Sequence, residues 1–178
     1  MKRIPLTLSF IAFSIAIAFA QSPATVTKAN IKFQIKNLGI NTGGVLGGVK
    51  ATVVFNPAQL ATSSIEATAD VTTINTDNDE RDVHLKSADF FDVQRYPRIT
   101  MKSVSFKHKS GANYVAKFNL TIKDKTKQLD VPFTYNENGN NAVLTGTVKL
   151  NRLDFGVGGS SLVLSNDVTT TITLELNK

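Results

Sequence analysis

Residues Arg81–Pro97 read RDVHLKSADFFDVQRYP and interrupt a chain that otherwise consists of segments patterned as β-strands. Ahead of them, Asn75–Asn78 offers several N-cap side chains, and the acids within Asp79–Asp82 place negative charge where a first helical turn favours it. The pattern predicts a short helix over about residues 78–86 and a second helical turn capped by Ser87, ended by the Tyr-Pro pair. A segment of this kind can plug or gate the space that the strands enclose.

On both sides of this insertion, apolar and polar residues alternate with the period of two that is typical of half-buried strands. Turn residues such as Gly, Asn and Asp separate most of these segments by short distances, which indicates hairpins. Eight strands are predicted, three before the insertion and five after it. They fall near residues 26–36, 45–55, 65–71, 99–106, 114–122, 129–135, 142–152 and 168–176.

Three irregularities bear on how these strands are arranged. Gly47-Gly48 predicts a bend or bulge in a strand whose residues Val45, Gly47, Val49, Ala51, Val53 and Phe55 share one face. A change of apolar phase between Met101 and Val104 predicts a bulge near Lys102-Ser103, and Pro132 indicates an edge or bulged position. A sandwich would use the same strands, but bends, bulges and the need to protect edges favour an all-β, eight-stranded antiparallel barrel with one helical insertion between the third and fourth strands.

The first twenty residues have the three regions of a secretory signal. Met1–Arg3 is basic, Ile4–Phe19 is almost wholly apolar, and Ala18–Ala20 gives a small-x-small cleavage pattern before Gln21. A membrane anchor is the rival interpretation, but polar residues follow at once and no other segment has the ~20 apolar residues of a spanning helix. The sequence therefore predicts a cleaved signal peptide over 1–20, one domain over 21–178 and a periplasmic or secreted location.

Composition argues against several classes of function. The formal net charge of +6 is modest and the lysines are scattered, so nucleic-acid binding is not expected. The absence of cysteine excludes disulfides and thiol catalysis, and the two histidines, His84 and His108, do not make a transition-metal site. Asp82 and His84 lie two apart on the predicted helix, where side chains do not face each other, so we interpret them as solvated helix residues and not as a catalytic pair.

Several motifs together resemble the YceI family, secreted bacterial lipocalin-like barrels. Within the insertion they are Asn75–Asp77, Arg81-Asp82, His84–Ser87, Asp89–Asp92 and Tyr96-Pro97; later ones are Phe118–Ile122 with Thr126-Lys127, and Asn151-Arg152 with Asp154–Val157. The resemblance implies an elongated apolar pore that holds an amphiphile, typically a polyisoprenoid or fatty-acid-like chain, in a binder or carrier and not an enzyme. The first strand departs from the family pattern, because Lys28–Asn30 stands where many members have an Asp and a His-Ser pair, and Asn37 stands where they have a second His. A head-group or metal role that rests on those histidines is therefore not carried over.

The inward positions mix large and small side chains, which predicts either an apolar cavity or an interdigitated solid core. The first alternative makes the protein a lipid carrier with no cofactor beyond the bound lipid, and the second makes it a structural or stress-response protein. We expect Arg152 to pin the insertion by reaching Asp89 or Asp92, or else to hold an anionic head group. Dimerisation stays open. The expected cavity residues are Ile31, Phe33, Ile35, Val53, Phe55, Phe90, Phe91, Phe118, Leu120, Phe133 and Phe155.

Overall fold

Eight antiparallel strands close into a barrel in residues 22–178, which are the residues that the computed structural model describes. The predicted signal peptide lies outside these residues. Each strand pairs with its neighbours in the chain, and β1 closes the barrel by pairing with β8 from Thr25↔Asn177 to Asn37↔Leu164. The elements are β1 Thr25–Asn37, β2 Ile40–Val54, β3 Ser64–Asn75, α1 Asp79–Lys86, β4 Arg98–Ser110, β5 Asn113–Ile122, β6 Lys125–Asn138, β7 Asn141–Asn151 and β8 Leu164–Asn177, with short 3₁₀ turns at Leu60–Thr62 and Arg152–Phe155.

The fold class predicted from the alternation is confirmed. Its clearest case is β5, where every second residue from Tyr114 to Ile122 is buried and the residues between them are only partly covered. A period-two strand points one set of side chains into the barrel and the other outward, so this pattern alone fixes which face is interior.

The bulge expected at Gly47-Gly48 exists, and it changes which residues of β2 face inward. Gly48 has a φ of +58°, and the pairing of β2 with β3 shifts register on both sides of Gly47. One extra residue reverses the phase of the side chains, so Leu46 lines the interior while Val45 is 39% exposed. The expectation that Val45 shares the inner face of Val49 is therefore wrong.

The second bulge lies in β4 between Ser103 and Ser105, one residue beyond the predicted place. Met101 faces the interior before it and Phe106 packs against the core after it. The change of apolar phase predicted that Val104 faces inward together with Phe106. Val104 is instead the residue that the bulge leaves without a cross-strand partner on β5, and it is 51% exposed.

Pro132 marks the point where β6 and β7 separate. Their pairing covers Phe133–Asn138 and Asn141–Gly146, and it stops at the proline, which has no N–H to donate. Beyond that point Phe155 packs with Leu129 of β6 and Leu150 of β7. The predicted edge character of Pro132 is thus right locally, and the turn after β7 fills the opening with an aromatic ring.

The two ends of the barrel differ. At the end that holds the β2–β3, β4–β5 and β6–β7 connections, the closed end, the Phe55 ring lies 4.7–5.5 Å from four neighbouring aromatic rings, measured between centroids. Their edge-to-face packing makes this end solid. The four neighbours are Phe106, Tyr114, Phe133 and Tyr135.

The opposite end, the mouth, is covered by α1 and the turns that follow it, Asp79–Tyr96, which we call the lid. The Asn78 side chain accepts a hydrogen bond from the Arg81 backbone N–H, as expected of an N-cap. The prediction of a second helical turn capped by Ser87 is wrong, because no helix follows Lys86 in the lid and Ser87 is the C-cap of α1. No helix within residues 22–178 is long and apolar enough to cross a membrane.

Candidate functional site

The barrel contains two adjoining apolar cavities. The outer one, of about 360 Å³, lies under the lid, and the inner one, of about 130 Å³, lies deeper toward the closed end. One band of residues lines both, so the two cavities adjoin along the barrel below the mouth, and together we call them the tunnel. The shared residues are Leu46, Ile99, Ile122, Leu150 and Thr170.

The inner cavity exists because small residues of β3 and β7 leave volume that large side chains do not fill. Ala67 and Ala69 of β3 and Gly146 of β7 stand in its wall. Four residues expected from the sequence also line it: Ile31, Phe118, Leu120 and Phe133. The solid-core alternative does not describe this half of the barrel.

The outer cavity is the part nearest the mouth, and its wall is partly polar. Phe33 and Ile35 of β1 and Phe90 and Phe91 of the lid line it, as expected. Polar side chains lie among them: Asn37, Thr42, Thr76, Arg81, His84 and Arg152. The arrangement can take an apolar chain inside and a polar group at the opening.

Three of the expected cavity residues serve packing instead. Val53 and Phe55 lie in the solid core of the closed end, and Phe155 is buried in the gap between β6 and β7. None of them lines either cavity. The alternation of period two predicts that a side chain points inward, but it does not predict at which level along the barrel axis the interior is filled.

Arg152 does not pin the lid. Its guanidinium donates to the carbonyl oxygens of Ser165 (3.0 Å), Val157 (2.8 Å) and Gly159 (2.8 Å), and to the Asn166 side chain. The predicted contact with Asp89 or Asp92 is wrong, since those carboxylates lie by His84 and Arg95 instead. Arg152 is 3% exposed, and burial lowers the pKa of its guanidinium below the ordinary value. It holds the β7–β8 loop.

The lid is held by a residue that the sequence did not single out. Lys123, in the turn between β5 and β6, donates from Nζ to the carbonyl oxygens of Phe90 (2.9 Å) and Gly156 (3.0 Å). One ammonium therefore ties the lid to the β7–β8 loop across the mouth. A positive φ of 57° at Lys123 is the backbone feature of this turn, but no sequence signal identifies its distant partners.

A buried polar network anchors the start of the lid. The Asp82 carboxylate accepts hydrogen bonds from both the backbone N–H and the hydroxyl of Thr76, and Arg81 donates to the same threonine from Nε and Nη2. Asp82 is 8% exposed, so the interpretation of this residue as solvated is wrong. His84 is exposed, with its ring 4.9 Å from the Phe90 ring between centroids.

The sequence profile of the YceI-like domain matches residues 24–177, which is the whole barrel. The chain belongs to the YceI-like domain family. A UPF0312 protein of Vibrio cholerae is 30% identical over 145 residues, covering 76% of this chain and 77% of the relative.

Solved structures of similar fold agree with this membership. BcnA of Burkholderia cenocepacia superimposes with a TM-score of 0.81 at 26% identity, covering 85% of this chain and 98% of BcnA. A polyisoprenoid binding domain from Saccharophagus degradans gives a TM-score of 0.67 at 11% identity, covering 87% of this chain and 97% of that domain. At that identity the likeness concerns the fold alone.

In this YceI-like domain the motif of the insertion builds the lid and its anchor. Thr76, Arg81 and Asp82 form the buried network, while Phe90 and Phe91 line the outer cavity. Residues 22–178 contain no group of three His, Cys, Asp or Glu side chains arranged to hold a metal ion.

Proposed function

We propose that this protein binds and carries an amphiphilic lipid, with a polyisoprenoid or fatty-acid-like tail in the tunnel and its polar end at the mouth. The observation that carries the proposal is the pair of adjoining apolar cavities beneath the lid. The fold shared with a domain named for polyisoprenoid binding supports the same class of ligand. The barrel is of a kind found in binding proteins, and we propose a carrier rather than an enzyme.

The dimensions of the tunnel suit a long chain. Along β8 its wall runs from Leu164 at the mouth to Leu174 inside, about 33 Å of strand at roughly 3.3 Å per residue, or about 25 Å along the barrel axis at a strand tilt of roughly 40°. Each CH₂ group that leaves water contributes about 0.8 kcal/mol, so a long tail binds without a strong polar contact. The outer cavity alone reaches the size range of about 300–1,000 Å³ that is usual for ligand pockets.

The polar end of the lipid is proposed to lie among Asn37, Thr42 and His84. Arg152 is the second candidate for contact with an anionic head group, because it lines the outer cavity. Most of its N–H groups already donate to the β7–β8 loop, so few remain for a ligand. We therefore assign Arg152 first to holding the loop and second to the head group.

The site of action is proposed to be the periplasm or the cell exterior, after removal of residues 1–20. The support is the three-part signal pattern of the sequence. In that compartment a carrier is needed because a free polyisoprenoid has no soluble form.

Native mass spectrometry of the protein purified from its own host tests the proposal. A copurifying lipid of prenyl or acyl character is the expected result. A protein that carries no lipid and does not bind added prenyl or acyl chains would leave the structural or stress-response alternative.

A pair of neighbouring substitutions on β1 separates the cavity from the outer surface. Ile35 lines the outer cavity while Gln34 points to the opposite, exposed face. We expect Ile35→Asn to weaken the binding of a fluorescent fatty acid at least about tenfold, because it puts an amide in the path of the chain. Gln34→Asn is the matched control and leaves binding unchanged; equal effects of the two would contradict a ligand inside the barrel.

A further inference from the structure

Exposed apolar side chains gather on one side of the mouth. Leu38 and Ile40, at the β1–β2 turn, are each 72% exposed, and Leu162 and Val163, in the β7–β8 loop, are 106% and 49% exposed. We call these four residues the apolar rim. Side chains of this kind gain free energy when they leave water, and a cluster of them marks a surface that binds something apolar.

The apolar rim continues the wall of the tunnel. The Leu38 backbone N–H donates to the Val163 carbonyl oxygen at 2.8 Å, which joins the two loops into one edge. Val163 itself lines the outer cavity, and Ile40 lies on the same strand face as Thr42, which also lines it. A lipid tail that leaves the cavity on this side therefore meets apolar side chains and not water.

Charge divides the mouth into two halves. Residues 36–48 and 155–166, which carry the apolar rim, contain Lys36 as their single charged residue and no acid. The lid on the other side is dense in charge, and its exposed acids include Asp79, Glu80 and Asp89. The lid also carries Arg81, Lys86 and Arg95, but its five acids outnumber these three bases. An uncharged side next to a charged side with an excess of acids defines an orientation, because charged groups are costly to desolvate and the excess acids are repelled by anionic phospholipids.

We propose that the apolar rim docks on a lipid bilayer, inserting into its interface while the charged lid stays in water. This inference rests on the proposed lipid-carrier function, since it supplies the route by which a lipid enters the tunnel. Four apolar side chains without a basic cluster give weak, reversible association, which suits a carrier that must leave again.

Flotation with vesicles of phosphatidylethanolamine and phosphatidylglycerol tests the proposal. The double variant Leu38→Asn, Leu162→Ser removes two side chains that line neither cavity, and Asn suits the positive φ of 51° at Leu38. We expect its vesicle binding to fall at least about tenfold. Val83→Ser is the matched control, because Val83 is 71% exposed but lies on the charged lid, and its vesicle binding should equal that of the unsubstituted protein.

Binding of a fluorescent fatty acid from solution, without vesicles, separates this proposal from the carrier function. The double variant should bind that probe within about twofold of the unsubstituted protein, and a loss there would mean that the tunnel itself was damaged. Vesicle binding that the double variant retains, or that the unsubstituted protein lacks while it binds the probe, overturns the docking proposal. A dimer in light scattering that the double variant dissociates also overturns it, because the rim would then join two copies of the chain. Failure to bind the probe in every variant is failure of the carrier function.

Discussion

At the scale of single residues, two buried charged side chains, Arg152 and Asp82, hold loops to the barrel through hydrogen bonds to uncharged groups. Arg152 donates to two carbonyl oxygens of the β7–β8 loop and to the Ser165 carbonyl and Asn166 side chain at the start of β8, and Asp82 accepts from the backbone N–H and hydroxyl of Thr76. Charge-assisted hydrogen bonds of this kind are shorter and stronger than those between neutral groups, and they offset the cost of burial. These hydrogen bonds add to the apolar packing of Phe90, Phe91 and Val157 in fixing the loops above the mouth.

Replacing Arg152 by Met tests this role. The substitution keeps most of the side-chain volume but leaves the carbonyl oxygens of Ser165, Val157 and Gly159 without their donor. We expect the free energy of unfolding to fall by about 2–4 kcal/mol, measured by denaturant titration. Fatty-acid binding should weaken together with stability as the loop loosens. A loss of binding only for ligands with an anionic head group, at unchanged stability, would instead support the head-group role, and no change in either would contradict both.

At the scale of elements, the lid is attached at its two ends by different means. The Thr76–Arg81–Asp82 network fixes its start, and Lys123 fixes the carbonyl oxygen of Phe90 near its end. Gly158 of the β7–β8 loop also packs close to the lid, because a Cβ there would lie 2.8 Å from the Phe90 ring. A displacement of the lid or of the β7–β8 loop therefore breaks contacts that it makes with the other.

Lys123→Met should loosen the lid at the end held by the lysine. The variant removes both hydrogen bonds that join the lid to Gly156, so we expect a bound fatty acid to dissociate several-fold faster with a stability loss of about 1–2 kcal/mol. Stopped-flow displacement of a fluorescent fatty acid measures the rate. Lys127→Met, an exposed lysine on the neighbouring strand, is the control and should leave the rate unchanged. Equal dissociation rates in both variants would show that the lid does not limit release.

The sequence predicted the elements well where one local pattern decides them. The strands follow from period two, and α1 from its N-cap and first-turn acids. Val45 and Val104 were misplaced because a bulge reverses the phase of the side chains, and its position depends on the partner strand. Lys123 was missed and Arg152 was given the wrong partners, since both donate to backbone carbonyl oxygens. Every residue has such an oxygen, so the sequence does not indicate which ones accept.

At the scale of the whole molecule, the barrel divides stability and binding between its two ends. The aromatic cluster around Phe55 packs the closed end, whereas Ala67, Ala69 and Gly146 leave the inner cavity empty above it. Empty apolar volume forfeits packing contacts, so the barrel is less stable than one whose inner cavity is filled. A bound chain would supply the missing packing contacts, and so would a larger side chain in the cavity wall.

Ala67→Leu fills the inner cavity, so it should raise stability in the absence of lipid and weaken the binding of long chains. Its three added carbon groups point into a cavity of about 130 Å³, so we expect the free energy of unfolding to rise by about 1–2 kcal/mol in the absence of lipid. Long acyl chains should bind at least about tenfold more weakly, because their ends lose the inner cavity, while short chains that stop in the outer cavity bind as before. Thermal unfolding and displacement titrations over a series of chain lengths measure both.

Val143→Leu, on the exposed face of β7, is the control and should change neither quantity. Unchanged affinity at every chain length would show that the ligand does not enter the inner cavity, which would then be a packing defect and not part of the binding site.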